Sequence, residues 1–84
     1  MRVKKRNGRR EDFIREKIVV SVLKAGGNVR RARNIAREVE RVISRSSAAT
    51  TQQIRTEVLD RLKNRDTRAY RGWLAYDRQY KRRA

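Results

Sequence analysis

Four cations lie near the start of the chain at a spacing that suits the binding of a phosphate group. Lys5, Arg6 and Arg10 flank an Asn7-Gly8 pair, and Lys17 follows close to the expected start of a helix. Asn-Gly between two short arms is the strongest short-range signal of a β-hairpin. A lysine in the first turn of a helix opposes the helix dipole, which favours anions there. Because such a cluster does not stabilise the fold, we interpret it as a site for an anion, with phosphate as the leading candidate.

The length of the hairpin loop decides which side chains share a face. A two-residue loop would leave Val3 and Phe13 on different faces. A three-residue loop over residues 7–9 would pair Val3 with Phe13 and place both on one face. It would also pair Lys5 with Glu11, an opposite-charge cross-strand pair worth ~0.2–1 kcal/mol. We therefore expect the three-residue loop.

Four helical stretches follow the hairpin. Helical spacing of apolar residues predicts helices over about 15–25 and about 30–44, and Gly26-Gly27 ends the first. Thr50-x-x-Gln53 predicts the N-terminus of a third helix, and Asp66 or Thr67 is the expected N-cap of a fourth. Residues 48–50 could add a third strand beside the hairpin. The predicted fold is mainly α, a single domain over 1–84, in which a four-helix bundle is capped by a small N-terminal β-hairpin or three-stranded sheet.

The composition restricts the classes of function. The chain has 84 residues, a formal net charge of +16 and neither cysteine nor histidine. Its charge favours an anionic partner: a nucleotide, a nucleic acid or an acidic protein surface. Without cysteine or histidine there are no disulfides, zinc ribbons, thiol nucleophiles or usual general bases, and we expect neither an enzyme nor a metal site. No apolar run approaches the ~18 residues of a membrane span, so we expect a cytoplasmic protein.

The first third of the chain also resembles a known family. The run from Val3 to Ile18 is similar to the opening of the ATP-cone domain, a regulatory nucleotide-binding module of many ribonucleotide reductases and of their bacterial transcriptional repressor. Lys24-Ala25-Gly26 matches the close of the family's first helix. The later part of the pattern is matched more loosely, by Ile54, Val58, Leu62, Ala69-Tyr70, Arg78 and Tyr80. The resemblance implies four helices covered by a small sheet, with nucleotide between the sheet and the first helix.

The resemblance also implies roles for individual residues in binding ATP or dATP, with or without Mg²⁺. Lys5 and Arg6 would contact the phosphates, and Lys17 a phosphate or the ribose. The other expected site residues lie near the base: Val3, Phe13 and Ile18 on its apolar side, Glu11 at an acidic position, and Thr51 and Arg55 beside it. Packing in the core would equally explain Val3, Phe13 and Ile18, and pairing with Lys5 would explain Glu11.

Three positions depart from the family pattern. Ile14 stands where the family has an Asp or Asn that caps the first helix and contacts the nucleotide, and isoleucine can do neither. Gly72 and Asp77 stand in the last helix in place of an arginine and a tyrosine. We expect these departures to change the affinity for nucleotide or the selectivity for its base.

One feature lies outside the family pattern. The second helix carries arginines on the face opposite its apolar residues, at Arg30, Arg33, Arg37 and Arg41. A solvated helix face is the usual explanation of such residues, but a nucleic-acid backbone would also suit them. Three functions therefore stay open: a stand-alone nucleotide-binding regulatory module, a basic nucleic-acid-binding protein or transcriptional regulator, and an adaptor for an acidic protein partner. A homo-oligomer is compatible with each.

Overall fold

Two short strands precede four helices along the chain. The computed structural model describes residues 1–47 and 49–83, with side chains as far as residue 77. The elements are β1 (Arg2–Lys4), β2 (Arg10–Asp12), α1 (Arg15–Lys24), α2 (Val29–Ser44), α3 (Thr51–Arg65) and α4 (Thr67–Arg83). The predicted fold class, a mainly α domain with four helices and a small N-terminal sheet, is confirmed.

A three-residue loop joins β1 and β2. Gly8 has a φ of +87° and donates its backbone N–H to the Lys5 carbonyl at 3.0 Å. The Lys5 N–H in turn donates to the Arg9 carbonyl at 2.7 Å, so the loop consists of residues 6–8. The Asn7 side chain accepts from the Arg9 N–H at 3.0 Å. This is a turn closed by a residue in the left-handed region, where glycine alone avoids a steric penalty.

The predicted pairing of Val3 with Phe13 is wrong. The loop has three residues as expected, but it begins one residue earlier, because Gly8 occupies its third position. Val3 therefore pairs with Glu11, and the Phe13 N–H donates to the Met1 carbonyl at 2.7 Å. The register differs from the expected one by two residues, so Val3 and Phe13 still share a face. Lys5 is not directly opposite Glu11, yet the two form an ion pair at 3.4 Å.

The third strand expected at residues 48–50 is reduced to one contact. Lys4 forms an isolated parallel bridge with Thr50, and its N–H donates to the Ala49 carbonyl at 3.0 Å. Ala48 lies outside the described residues. Within the described part of the chain the sheet has two strands, and this bridge fixes β1 beside the N-terminus of α3.

The core is built on the apolar face of α2. Residues at helical spacing on that face, Ala32, Ile35, Ala36, Val39 and Ile43, are fully buried. The other helices, the hairpin and the segment before α3 contribute the remaining buried side chains, which are Val3, Ile18, Val19, Val22, Ala49, Val58, Leu62 and Ala69. Phe13, Tyr70 and Trp73 pack against this cluster from its edge. No described helix is both long enough and apolar enough to cross a membrane.

The helix ends follow the predicted signals. Thr50 caps α3 by accepting from the Gln53 N–H at 3.0 Å. Gly26 ends α1 with a φ of +103°. Asp66 is the residue between α3 and α4, and its side chain accepts from the Ala69 N–H at 3.1 Å. Asp66, rather than Thr67, is therefore the N-cap of α4.

The helices α1 and α4 approach closely at Gly72. A Cβ atom at this position would lie 2.0 Å from the carbonyl oxygen of Ala25, at the end of α1. Only glycine fits without displacing backbone atoms. The departure from the family's arginine at position 72 therefore has a steric explanation: α4 crosses the end of α1 with no room for a side chain.

We expect Gly72→Ala to lower the free energy of unfolding by roughly 1–3 kcal/mol, because overpacking at the backbone outweighs the better helix propensity of alanine. Denaturant unfolding followed by circular dichroism measures this. Arg71→Ala, an exposed substitution on the same helix, is the control and should change stability little. Equal stability of Gly72→Ala and the wild type would show that the two helices do not meet here.

A carboxylate holds α2 to α3. Glu38 accepts two hydrogen bonds from Arg65, at 2.6 and 2.8 Å, and a third from Arg61 at 3.2 Å. The hydrogen bonds from Arg65, with those from Arg61, hold the pKa of Glu38 below its ordinary value. The same pair raises the pKa of Arg65.

Because the folded-state pKa of Glu38 is depressed, its contribution to stability is fully present above the ordinary pKa of the carboxyl. It is lost as the pH falls through the folded-state pKa. We therefore expect the stability difference between wild type and Arg65→Gln to be greatest near neutral pH and to shrink below about pH 4. Thermal unfolding over a pH series measures it, with Arg45→Gln as the control. A difference that stays constant across the series would exclude this role of Glu38.

Candidate functional site

A cleft of about 370 Å³ lies between α1, α3 and α4. Its volume falls within the range of small-molecule sites, roughly 300–1,000 Å³. The lining residues come from the three helices: Lys17, Ile18, Ser21, Lys24 and Ala25; Thr51, Ile54, Arg55 and Val58; and Trp73, Tyr76 and Asp77.

Helical periodicity brings these side chains to one place. Residues three, four or seven apart lie on the same face of a helix. Each helix supplies one such stripe to the cleft: Lys17, Ser21 and Lys24 from α1, Thr51, Arg55 and Val58 from α3, and Trp73, Tyr76 and Asp77 from α4. The cleft therefore has rigid walls, because each stripe belongs to a regular helix.

Apolar and aromatic groups form much of the cleft surface. Ile18 and Val58 are buried at its base, and Ile54 is half-buried. Trp73 is also half-buried and packs against the core, whereas Tyr76 is 65% exposed. Such walls can hold a flat apolar ring, which can stack on Trp73.

The charges of the cleft are mainly positive. Lys17 and Lys24 are exposed and have no ion pair among the described residues. Arg55 forms an ion pair with Asp77, which joins α3 to α4. Among the described residues that line the cleft, Asp77 is the only one with a carboxylate, and it is paired with Arg55 and not with either lysine. The cleft therefore attracts anions.

The hairpin lies next to one end of this cleft. The bridge from Lys4 reaches Thr50, and the next residue, Thr51, lines the cleft. Lys5 follows Lys4 at the edge of the loop and Arg6 is the first loop residue, and both are exposed. The cations of the hairpin are thus attached beside the N-terminus of α3.

Four of the predicted nucleotide-site residues come together in the cleft, namely Lys17, Ile18, Thr51 and Arg55. The predicted residues of the hairpin do not line it. Val3 is 3% exposed within the core, and Phe13 packs against the core. Glu11 pairs with Lys5, and Arg6 lies in the loop.

Sequence reasoning missed several residues that line the cleft. Lys24, Trp73 and Tyr76 were not expected there, although Lys24 lies seven residues after Lys17 on the same face of α1. That spacing was a usable signal. No pattern in the sequence pointed to the pairing of Arg55 with Asp77, because the two residues belong to different helices.

The start of α1 lacks a side-chain cap. Ile14 occupies the N-cap position with φ of −122° and ψ of 106°, makes no capping hydrogen bond and is 48% exposed. The expectation that isoleucine cannot cap this helix is confirmed. Polar N–H groups at the start of α1 are consequently left to solvent or to a ligand.

The arginines predicted as an alternative nucleic-acid site lie on the exposed face of α2. Arg33 forms an ion pair with Glu16 of α1 at 3.2 Å. Arg30, Arg37 and Arg41 have no ion pair among the described residues, and Arg37 donates a hydrogen bond to the Asn34 side chain at 3.3 Å. None of these arginines lines the cleft.

Comparison with known proteins identifies the family. The family model described as the ATP cone domain matches residues 1–82. No curated protein matches the chain. Within the described residues, no group of three or more histidine, cysteine, aspartate or glutamate side chains is arranged to hold a metal ion.

We expect Ile14→Asp to raise the free energy of unfolding by about 1 kcal/mol, because an aspartate can accept from the free N–H groups of α1 and favours the positive end of its dipole. Denaturant unfolding of the two proteins measures the difference. Ile14→Ala is the matched control, since it removes the same side chain without adding a cap. If the Asp and Ala variants have equal unfolding midpoints, the aspartate adds no cap, and the start of α1 does not have the free N–H groups inferred here.

Proposed function

The chain belongs to the ATP-cone family, whose members are regulatory nucleotide-binding domains, and from that premise we propose that it binds ATP or dATP in the cleft between α1, α3 and α4. The observation that carries the proposal is the convergence of cations and apolar walls at that cleft. A nucleotide requires both, since its base is flat and largely apolar while its phosphates are strongly anionic.

The phosphates occupy the end of the cleft beside the hairpin. Lys17 and Arg55 line the cleft, and Lys5 and Arg6 extend from the adjacent loop. The N-terminus of α3 adds backbone N–H groups there, and its first turn carries no acidic residue. Helix N-termini favour phosphate through these N–H groups and the helix dipole. Charge-assisted hydrogen bonds from the cations strengthen the site.

The base and ribose lie deeper between the helices. Ile18 and Ile54 supply an apolar surface, and Trp73 supplies an aromatic ring against which a purine can stack. Asp77 is the acceptor in the cleft for a ribose hydroxyl or for the amino group of adenine. ATP and dATP differ by one hydroxyl group, so their relative affinities report on contacts made to the ribose.

Binding acts on the contact between α3 and α4. Arg55 is paired with Asp77. A phosphate group competes with the Asp77 carboxylate for the same guanidinium, so binding changes the interaction that joins the two helices. This change in the contact between α3 and α4 is a physical means by which nucleotide binding can alter the surface that a partner protein contacts. It acts by binding alone, without a catalytic step.

We expect isothermal titration calorimetry at moderate salt to detect binding of ATP or dATP. Lys17→Ala should weaken the affinity about 10-fold, and the double variant Lys5→Ala/Arg6→Ala 10-fold or more, since each charge-assisted contact contributes roughly 1.5–3 kcal/mol.

The matched control is Lys63→Ala/Arg71→Ala, which removes two exposed cations that do not line the cleft. Its affinity should stay within about 2-fold of the wild type, because it lowers the net charge equally without touching the site. The proposal is wrong if the native protein binds neither nucleotide. It is also wrong if the control loses as much affinity as the double variant in the hairpin.

A further inference from the structure

The acidic residues are concentrated at contacts between elements. Among the described residues every acidic side chain except Asp60 is in an ion pair. On α2 the two glutamates both turn toward neighbouring helices: Glu38 binds Arg61 and Arg65 of α3, and Glu40 binds Arg15 of α1 at 3.2 Å. The outer face of α2 is therefore left without any acid of its own.

A line of cations remains on that face. We call it the arginine stripe; it consists of Arg30, Arg37, Arg41 and Arg45, all exposed and without an ion pair among the described residues. At about 100° per residue they fall within roughly 80° around the axis of α2, opposite its buried face. At 1.5 Å per residue the stripe is about 22 Å long. Asn34 lies within this sector, which contains neither an acid nor an apolar side chain. The neighbouring Glu38 lies just outside it and is paired with Arg61 and Arg65 of α3.

We propose that the arginine stripe binds the phosphodiester backbone of nucleic acid. A row of cations of one sign, held by a rigid helix, matches a linear polyanion that carries one charge about every 3.4 Å along each strand. Arginine suits phosphate because its planar guanidinium donates two parallel hydrogen bonds. Binding is sequence-independent, because contacts of this kind are made to phosphate and not to base edges.

The composition of the stripe argues for nucleic acid over an acidic protein. The centre of a protein–protein interface is apolar, with aromatic anchors, and charged groups lie mostly at its rim. The stripe has no apolar centre, because most apolar side chains of α2 are buried in the core and the exposed Val29 lies outside the stripe. A charged backbone needs no apolar centre, so it fits the stripe better.

The surface is separate from the nucleotide cleft. The cleft is lined by α1, α3 and α4, and no residue of α2 lines it. Arg33, one of the arginines expected on this face, is paired with Glu16 and is not included in the stripe. The proposal therefore does not depend on nucleotide binding, and the two sites can be tested independently.

The test compares two triple variants with the same change in net charge. One is Arg30→Gln/Arg37→Gln/Arg41→Gln in the stripe, and the other is Lys63→Gln/Arg68→Gln/Arg71→Gln at exposed positions of α3 and α4. Fluorescence anisotropy with a labelled DNA duplex, a labelled RNA duplex and a poly-glutamate peptide of matched charge is recorded at several salt concentrations. Circular dichroism and the thermal midpoint of each variant show whether its fold is intact.

The expected result is that the wild type binds both duplexes and that the stripe variant binds them at least 10-fold more weakly at about 0.1 M salt. The slope of log affinity against log salt should fall by about 2.7, or 0.9 for each lost phosphate contact. The control variant should keep a slope close to that of the wild type. Three outcomes overturn the proposal: no duplex binding by the wild type, equal losses in both variants, or poly-glutamate binding as tight and as dependent on the stripe as duplex binding.

Discussion

The shortage of acidic residues is the constraint on which the rest of the structure depends. The chain has 25 lysines and arginines and only nine acids, so most cations must remain without a partner. The fold places its acids where two elements meet, as at Glu38 between α2 and α3 and at Asp77 between α4 and α3. Each such pair reduces repulsion at a contact that would otherwise bring cations together. The remaining positive charge is left on the hairpin, at the cleft and along the outer face of α2.

The shape of the cleft follows from two different contacts of α4. At Gly72 the helix touches the end of α1 through its backbone, and no side chain intervenes. One turn further along, it meets α3 through the ion pair of Asp77 with Arg55. The first contact is fixed by packing, whereas the second can be exchanged for an anion from solution. The cleft thus has one boundary that a ligand cannot alter and one that it can.

The elements could be predicted from the sequence because their signals are local. The Asn7-Gly8 turn, the Thr50 cap and the spacing of apolar residues on α2 each involve neighbours within a few positions. The predicted hairpin register was wrong for a local reason as well. Gly8 occupies the third position of the loop, whereas the prediction placed it at the second, and this error changed the partner of every residue in the two strands.

The site could be predicted only in part. Lys17, Ile18, Thr51 and Arg55, which the family pattern predicts as site residues, line the cleft, and that prediction needs no knowledge of the contacts. Other features depend on residues far apart in the chain. Glu16 reaches Arg33 across 17 positions, so the arginine face looked more uniform in the sequence than it is in the structure. Such pairings are set by the way the helices pack, and spacing along one helix does not reveal them.

The junction at Asp66 fixes the way in which α3 leads into α4. This one residue connects α3 directly to α4, and its side chain is 7% exposed. Its carboxylate caps α4 through the Ala69 N–H and also pairs with Arg31 of α2 at 3.7 Å. Only the two dihedral angles of Asp66 separate the helices, and turning either would break these interactions. Asp66 therefore holds the end of α3 to the start of α4 and to α2. The Lys4 bridge and the buried side chain of Val3 likewise hold the hairpin against α3 and the core.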